Sequence, residues 1–462
     1  MKILLATTAA AALLAGPALA QDAMPGMDHS KMNHSLMQQG EAAQPGPDAG
    51  MADMPGMDHT AHSEMDHSQI AHSMSAGALG AYPMTREASG TSWQPDASAH
   101  EGLHLMYGPW MVMAHATING VYSWQQGPRG DEQGFVSGMI MGMARRDVGD
   151  NGTVQFRAML SPDPFMGKRG YPELLATGET ANGVTPLADR KHTHDLFMEL
   201  SGSYAYRLTD KDSVFVYAGL PGEPAFGPPA FMHRMSIMDS PEAPISHHWL
   251  DSTHIVFGVV TAGYVHDNWK IEASRFRGRE PDEHRFDIEH PTLDSTAVRL
   301  SYNPTRNWAL QASWAEVKSP EQLSPDENVR KWSASAIYTV PVGDNGWWST
   351  TAAWGRRSAG GQDLDAYAVE SAVKLNPAWT VFSRAERIQT DELVFPPGEH
   401  HGPTYTVGKV SLGAVRDFAL SEHIAVGLGA LYAVNFVPGE LAPVYGRREP
   451  AGAMGFVRLK LR

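Results

Sequence analysis

The sequence predicts an all-β protein: a transmembrane antiparallel β-barrel of about 16 strands, with 14 as the alternative count, preceded by a disordered Met/His-rich tail. Three observations lead to this prediction. The tail lacks aromatic residues, the remainder consists of short runs that alternate apolar and polar side chains, and tight turns alternate with long loops between those runs. Outer-membrane barrels have this loop pattern, with the turns in the periplasm and the long loops outside.

Residues 1–20 are predicted to be a signal peptide. Lys2 provides a positive charge, Ile3 to Leu14 form an apolar run, and Ala18-Leu19-Ala20 resembles a cleavage site. The apolar run is shorter than the roughly 20 residues that a membrane-spanning helix needs. The chain is therefore expected to be exported.

Composition excludes several kinds of site. The chain contains no cysteine, so it has neither disulfides nor thiolate metal ligands. Its net charge of −15 argues against nucleic acid as a partner.

The chain divides at the first aromatic residue after the signal peptide. Residues 21–81 contain no Phe, Tyr or Trp and are rich in Met, His, Ser, Gly, Pro and Asp, so they cannot bury enough apolar surface to fold. Residues 82–109 are predicted to be a linker or periplasmic plug, and residues 110–462 the barrel.

One unit repeats within the tail. Met24-Pro-Gly-Met-Asp-His-Ser30 returns as Met54-Pro-Gly-Met-Asp-His-Thr60, and a shortened copy spans Glu64 to Ser68. Thioethers suit Cu(I) and Ag(I), and imidazoles suit copper and zinc. Core packing by the methionines is disfavoured because the segment has no other core residues, and an incidental linker is disfavoured by the repeated pairing of Met with His. The predicted ligands are Met24, Met27, His29, Met32, His34, Met37, Met54, Met57, His59, His62, Met65, His67, His72 and Met74.

These repeats resemble the Met/Asp/His/Ser motifs of periplasmic copper-resistance proteins, particularly the outer-membrane copper-resistance protein B family. The resemblance covers residues 24–74 and implies copper, as Cu(I) or Cu(II), as the bound ion, with silver or zinc as other possibilities.

Apolar and polar side chains alternate along the predicted strands. Trp308, Leu310, Ala312 and Trp314 share one face, which is too apolar for a soluble sandwich or propeller. An even number of strands brings both chain ends to the periplasm, although the last strand ends in Arg462 rather than an aromatic residue. The sixteen candidates are 110–124, 134–145, 153–162, 197–207, 213–219, 254–264, 269–278, 295–301, 308–315, 331–340, 347–356, 365–375, 378–387, 404–415, 422–434 and 452–462.

Further candidate ligands lie within the barrel sequence. If Val112 and Ala114 face lipid, then Met111, Met113 and His115 face the lumen, and Met139, Met141, Met143 and Met159 face inward on the next two strands. The long loops carry paired donors, for which loop packing is the alternative explanation. These donors are His192, His194, Met232, His233, Met235, His247 and His248, with Met238, His254, Asp282-Glu283-His284 and His400-His401 nearby.

Three segments resemble an uncharacterised outer-membrane family that tends to be encoded among metal-resistance genes. They are Thr185–Leu200, Pro228–Arg234 and His247–His254. This resemblance implies metal handling without indicating a mechanism.

No catalytic motif is present, so the chain is not expected to be an enzyme. The leading hypothesis is a copper-binding outer-membrane protein that contributes to metal resistance by sequestration or export. Its tail would lie in the periplasm, and its partners would be the metal ion, outer-membrane lipid and periplasmic copper-handling proteins. The first alternative is a porin-like solute channel with a metal-scavenging tail, and the second is a surface interaction protein. In a channel, basic lumenal candidates would favour anions: Arg157, Arg207, Lys270, Arg299, Lys331 and Lys409.

Overall fold

A computed structural model describes residues 76–99 and 102–461. The predicted signal peptide and the tail ligands from Met24 to Met74 lie outside the described residues.

The described chain is a closed antiparallel barrel of sixteen strands, as predicted, and the alternative count of fourteen is wrong. Three further strands lie outside this ring: β1 (Leu103–Tyr107), β5 (Tyr171–Thr180) and β6 (Pro186–Lys191). The wall consists of β2 (Trp110–Gln125), β3 (Glu132–Val148), β4 (Gly152–Leu160), β7 (Phe197–Arg207), β8 (Asp212–Gly219), β9 (Val259–His266), β10 (Trp269–Phe276), β11 (Ser295–Thr305), β12 (Trp308–Lys318), β13 (Asn328–Val342), β14 (Gly346–Ala359), β15 (Gln362–Lys374), β16 (Trp379–Thr390), β17 (Tyr405–Ala419), β18 (Ile424–Phe436) and β19 (Ala451–Leu461).

The barrel closes by pairing its last strand with its first. In register, β19 runs along β2 from the Gly452–Gln125 pair to the Leu461–Ala116 pair. Beyond that point β1 takes over, pairing Leu103 with Ala114 as the first arm of a hairpin with β2. The short strand thus continues the ladder where β19 ends, leaving less of the edge of β2 unpaired.

The outer face is apolar and the inner face is polar. Outward residues such as Ile140, Leu300 and Leu428 are about half exposed, whereas the inward Lys270, Arg299 and Arg384 are fully buried. Aromatic rings pair near the turn end, where Trp308 contacts Tyr338 at 4.8 Å between centroids, and near the loop end, where Trp314 contacts Trp332 at 6.3 Å. An apolar band between two aromatic girdles is the surface that lipid requires. Among the described residues no helix is long and apolar enough to cross a membrane.

Turns and long loops alternate around the barrel with one exception. The connection from β14 to β15 lies on the loop side but consists only of Gly360 and Gly361, both with positive φ. One predicted boundary is also wrong. The candidate strand 254–264 begins at Val259, because Ser252–His254 form a buried 3-10 turn.

Residues 76–99 lie inside the turn-side half of the barrel. The Arg86 guanidinium lies 5.2 and 4.8 Å from the ring centroids of Tyr82 and Trp93, which contact each other edge to face, and it forms an ion pair with Asp96 at 2.6 Å. Wall residues hold this segment: Ser213 donates to the Leu79 carbonyl at 2.8 Å, Arg299 to the Thr91 hydroxyl at 3.0 Å, and Asn303 to the Gln94 carbonyl at 2.9 Å.

The two longest loops fold into the lumen instead of extending outside, contrary to the prediction for their ligands. The β4–β7 loop carries the hairpin of β5 and β6, and the β8–β9 loop carries a short helix, α1 (His247–Leu250). Both are fixed to the wall by buried ion pairs. Arg234 of the second loop binds Glu370 of β15 at 2.7 Å, and Glu173 of β5 binds Lys409 of β17 at 2.6 Å.

Candidate metal-binding interior

Methionines from the wall and from an inward loop enclose a cavity of about 90 Å³, which we call the methionine chamber. Alternation on β2 and β3 directs every second side chain inward, so the Met-x-Met-x-His and Met-x-Met-x-Met runs present their sulfur and imidazole groups to one space. The β8–β9 loop covers this space. The chamber's Met and His residues are Met113, His115, Met139, Met141, Met143, Met232, His233, Met235 and Met238.

The charged groups that line the chamber are one ion pair and the carboxylate of Glu87, which accepts a hydrogen bond from the Ala78 backbone N–H at 2.6 Å. Arg157 binds Glu199 at 2.9 Å, with both side chains buried. The backbone N–H of Ala99 points at the sulfur of Met235 at 3.1 Å. Met84, which belongs to the segment of residues 76–99 inside the barrel, packs against the buried cluster of Met111, Met113 and Met143. Methionines therefore continue from the chamber to this inserted segment.

A second set of donors lies in the middle of the barrel, where the two inward loops meet. His192, His194, His247, His248 and His254 are all buried; we call them the histidine cluster. Ring centroids are 5.2 Å apart for His194–His254 and for His247–His254, and 5.5 to 5.8 Å apart for the three pairs among His192, His247 and His248.

Three rings of the cluster are oriented through one nitrogen. His194 Nδ1 lies 2.9 Å from an oxygen of Asp163, His247 Nδ1 lies 2.8 Å from Asp251 Oδ1, and His254 Nδ1 lies 2.6 Å from the Asp251 carbonyl oxygen. The Nε2 atoms of His194 and His254 are buried without a hydrogen-bond partner in the described part of the chain. An unpartnered buried polar atom is costly and calls for an explanation.

The other two rings have charged partners. His192 Nε2 lies 2.5 Å from Lys191 Nζ and 3.1 Å from Glu179, and His248 lies 3.6 Å from Glu280. Burial and the nearby Lys191 lower the pKa of His192 well below its usual value, whereas Glu280 raises the pKa of His248 against the effect of burial. Burial also lowers the pKa of His254 to about 3, which keeps its imidazole neutral and able to act as a ligand.

The cluster and the chamber are adjacent. A smaller cavity of about 60 Å³ is lined by His192, His194 and Asp163 on one side and by Met139, Met232 and Met238 on the other. The same three methionines line the methionine chamber. Thioether and imidazole donors therefore line the same small cavity, which has room for only a few water molecules.

Two sets of acidic and histidine residues in the loops have their possible ligand atoms closer together than those of the histidine cluster. Asp282, Glu283 and His284 form one, and Asp391, Glu392 and His401 form the other, with ligand atoms within 4.8 Å of one another. Within the described part of the chain, these two sets have three ligand atoms within 4.8 Å of one another, and the ligand atoms of the histidine cluster lie farther apart. The second set already contains an ion pair, because His401 lies 3.2 Å from Asp391.

The inward positions proposed for Met111, Met113 and His115 match their burial in the lumen, as do those of Met139, Met143 and Met159. Met141 is half-buried and lines the methionine chamber. Loop residues Met232, His233 and Met235 join the chamber, and His192, His194, His247 and His248 join the cluster. Sequence reasoning missed the anchoring roles of Asp163 and Asp251. Asp251 lies beside His247, His248 and His254 in the sequence, which was a signal for its role, whereas Asp163 is 31 positions from His194 and gave no such signal.

The basic residues predicted to attract anions are mostly neutralised. Arg157 is paired as above, Lys270 and Arg299 both bind Glu272 at 3.0 and 2.9 Å, and Lys409 binds Glu173 and Glu242 at 2.6 Å each. Lys331 donates to Ser252 at 3.0 Å, and Arg207 lies exposed at the turn end. Four of the six basic residues are therefore neutralised by ion pairs, which leaves the lumen less positive than the sequence suggested.

No protein-family model and no curated protein matches this chain. Solved outer-membrane proteins do match it in structure. Salmonella typhi OmpF, solved in complex with daunomycin, superposes with a TM-score of 0.50 at 10% identity, covering 78% of this chain and 100% of that chain. An anion-selective porin from Comamonas acidovorans gives 0.44 at 10% identity over 76% and 100%, and in-vitro-folded OmpT from Vibrio cholerae gives 0.44 at 9% over 77% and 99%. At this identity the likeness concerns the fold, which is that of the bacterial outer-membrane porins.

Proposed function

We propose that this protein is a porin-like outer-membrane channel for small solutes, and that the solute it handles is a soft metal ion, copper first and silver next. The observation that carries the proposal is the methionine chamber, which gathers seven methionines and two histidines around one lumenal cavity. Thioether sulfur binds Cu(I) and Ag(I) in preference to harder ions.

The interior favours a small solute. Residues 76–99 and the two inward loops occupy the lumen, and the cavities of the chamber and the cluster measure about 90 and 60 Å³. A cavity of this size accommodates a few waters or a dehydrated ion but not a sugar. The chamber is therefore better suited to ion passage or retention than to general porin conduction.

The predicted tail fits this function as a collector of metal on the periplasmic side. The described chain begins at Ala76, whose carbonyl accepts a hydrogen bond from Arg145 near the turn end of β3. In this proposal, ions captured by the Met/His repeats pass to Met84 and Met113. Sequestration and export then differ only in whether the ion leaves the barrel. The surface-interaction alternative loses support, because the two longest loops lie inside.

Uptake by liposomes containing the full mature protein tests the proposal. A triple variant, Met139→Leu, Met141→Leu and Met143→Leu, keeps apolar volume and is expected to cost less than about 1.5 kcal/mol per position. It should lower Ag⁺ flux at least several-fold while leaving K⁺ conductance in planar bilayers unchanged. Met454→Leu is the matched control, since Met454 is a buried lumenal methionine outside the chamber.

Equal Ag⁺ flux in the triple variant and the control would exclude the chamber as a soft-metal path. Removing residues 21–74 should reduce capture at low ion concentration but not flux at saturation. If removal abolishes both, the tail rather than the barrel carries the activity.

A further inference from the structure

We propose that His194, His247 and His254 form a three-imidazole metal site, held open by Asp163 and Asp251, which takes one borderline divalent ion such as Cu(II) or Zn(II). This site differs from the methionine chamber in its donors and in its position between the two inward loops. It does not depend on the chamber conducting ions.

Two of the three ring pairs have the spacing of a tetrahedral centre. With metal–nitrogen bonds of about 2.0–2.1 Å, two imidazoles bound at the tetrahedral angle have ring centroids about 5.2 Å apart. His254 has this separation, 5.2 Å, from both His194 and His247. The ring planes are steeply inclined to one another, at 80° and 69°, so the rings are not stacked.

The tautomers also fit. Each ring directs Nδ1 to an oxygen, from Asp163 for His194, from the Asp251 side chain for His247 and from the Asp251 carbonyl for His254. An Nδ1–H donor leaves Nε2 with its lone pair, and a carboxylate or carbonyl on the far nitrogen is the usual outer partner of a metal-bound histidine. In two of the rings, those of His194 and His254, that Nε2 is buried without another partner.

The anchors are themselves rigid. Asp251 accepts hydrogen bonds from Arg234 at 2.7 Å and from the Phe231 backbone N–H at 3.0 Å, so its carboxylate is fixed before any ion arrives. The three ligand atoms do not all lie within 4.8 Å of one another in this structure. Closure on an ion therefore requires side-chain movement that brings the three Nε2 atoms together.

The choice of ion follows from the donors. Three neutral imidazoles without a thiolate suit Cu(II), Zn(II) or Ni(II) better than Mg(II) or Ca(II). Met232 lines the same cavity as His194. A thioether that joined the three imidazoles would favour copper over zinc.

The test uses the full mature chain loaded with Cu(II) and then treated with a competing chelator strong enough to strip weak sites. We expect His194→Ala and His254→Ala each to lose one retained equivalent and the three-nitrogen hyperfine pattern of its electron paramagnetic resonance spectrum. The control His423→Ala, at an exposed position in the β17–β18 turn, should lose neither. Retained copper with an unchanged spectrum in His194→Ala would overturn the site.

A folding defect is separated by a second pair of measurements. His254→Gln keeps a buried polar side chain in place of the ring, and barrel integrity is checked by the electrophoretic mobility of unheated protein. A folded His254→Gln protein that still retains the equivalent contradicts the proposal. Because Ag⁺ flux is measured separately, loss of this site with normal flux leaves the proposed channel function intact, and the reverse result leaves the site intact.

Discussion

Glu370 is the residue whose replacement most directly tests how the β8–β9 loop is held in the lumen. Its two carboxylate oxygens accept hydrogen bonds from Arg234 at 2.7 and 2.8 Å, from Arg384 at 3.2 Å and from Ser236 at 3.1 Å. Glu370→Gln removes the negative charge and leaves two buried guanidinium groups without it. Removing one partner of a buried pair costs about 3–5 kcal/mol when the other is left uncompensated. Arg234 keeps Asp251 at 2.7 Å and Arg384 keeps Glu242 at 3.9 Å, so we expect a cost at or below the lower end of this range.

This cost falls on loop docking rather than on the strand ladders, because Arg234 and Ser236 belong to the loop and the backbone pairing of β15 is unchanged. We expect Glu370→Gln to lower the denaturant midpoint in detergent, to expose the β8–β9 loop to protease, and to raise planar-bilayer conductance as the lumen widens.

Asp363→Asn is the control, since the Arg356–Asp363 pair spans 3.5 Å with side chains 38% and 58% exposed. A pair so exposed contributes at most about 1 kcal/mol. If Glu370→Gln matches Asp363→Asn in midpoint, protease resistance and conductance, the ion-pair network does not hold the loop.

Three further predictions concern the loops and the inserted segment. Gly355→Ala places a Cβ 2.6 Å from the carbonyl oxygen of the buried Trp249, so it should destabilise the docked β8–β9 loop by about 1–3 kcal/mol. Gly142 has open space around it, so Gly142→Ala should not be destabilising. Equal unfolding midpoints for the two variants would refute this prediction. Asp391 raises the pKa of His401 to about 9. The stability that this pair gives the β16–β17 loop is therefore complete below about pH 6.5 and is lost as the pH rises through about 9. Limited proteolysis of the loop should show this loss, and His401→Gln should remove the pH dependence. Arg86→Ala breaks the Asp96 pair and both ring contacts, so it should increase conductance by loosening residues 76–99; unchanged conductance would place the barrier elsewhere.

The barrel wall was predictable because the residue pattern of each wall strand reflects the lipid on one side and the lumen on the other. Lipid on one side and a polar interior on the other produce the period-two pattern seen in Trp308–Trp314, and this pattern needs only local sequence. The strands β5 and β6 escaped prediction for the same reason. β5 is buried almost throughout, from Tyr171 to Thr180, so it carries no alternation.

The interior was less predictable because its contacts are long-range. The Arg234–Glu370 pair joins residues 136 positions apart, and His194 meets Asp163 across 31 positions. Local doubling of His and Met indicated ligand-rich loops, but not that the loops turn inward. That outcome depends on buried carboxylates and guanidiniums that resemble ordinary surface charge in the sequence.

The two proposed metal environments would have opposite functions, passage of an ion in the methionine chamber and retention of an ion in the histidine cluster. Experiments can therefore separate them. Passage of an ion requires binding that is strong enough for entry and weak enough for exit, and this favours several equivalent sites over one deep site. Seven chamber methionines on flexible side chains, none of them charged, provide such a series. The three anchored imidazoles provide the reverse, a single site whose ligands are already oriented by Asp163 and Asp251. An ion held there would bridge the β4–β7 and β8–β9 loops, since His194 belongs to one and His247 and His254 to the other. Metal retained at the histidine cluster would therefore strengthen the closure of the lumen, while metal in the methionine chamber would exchange.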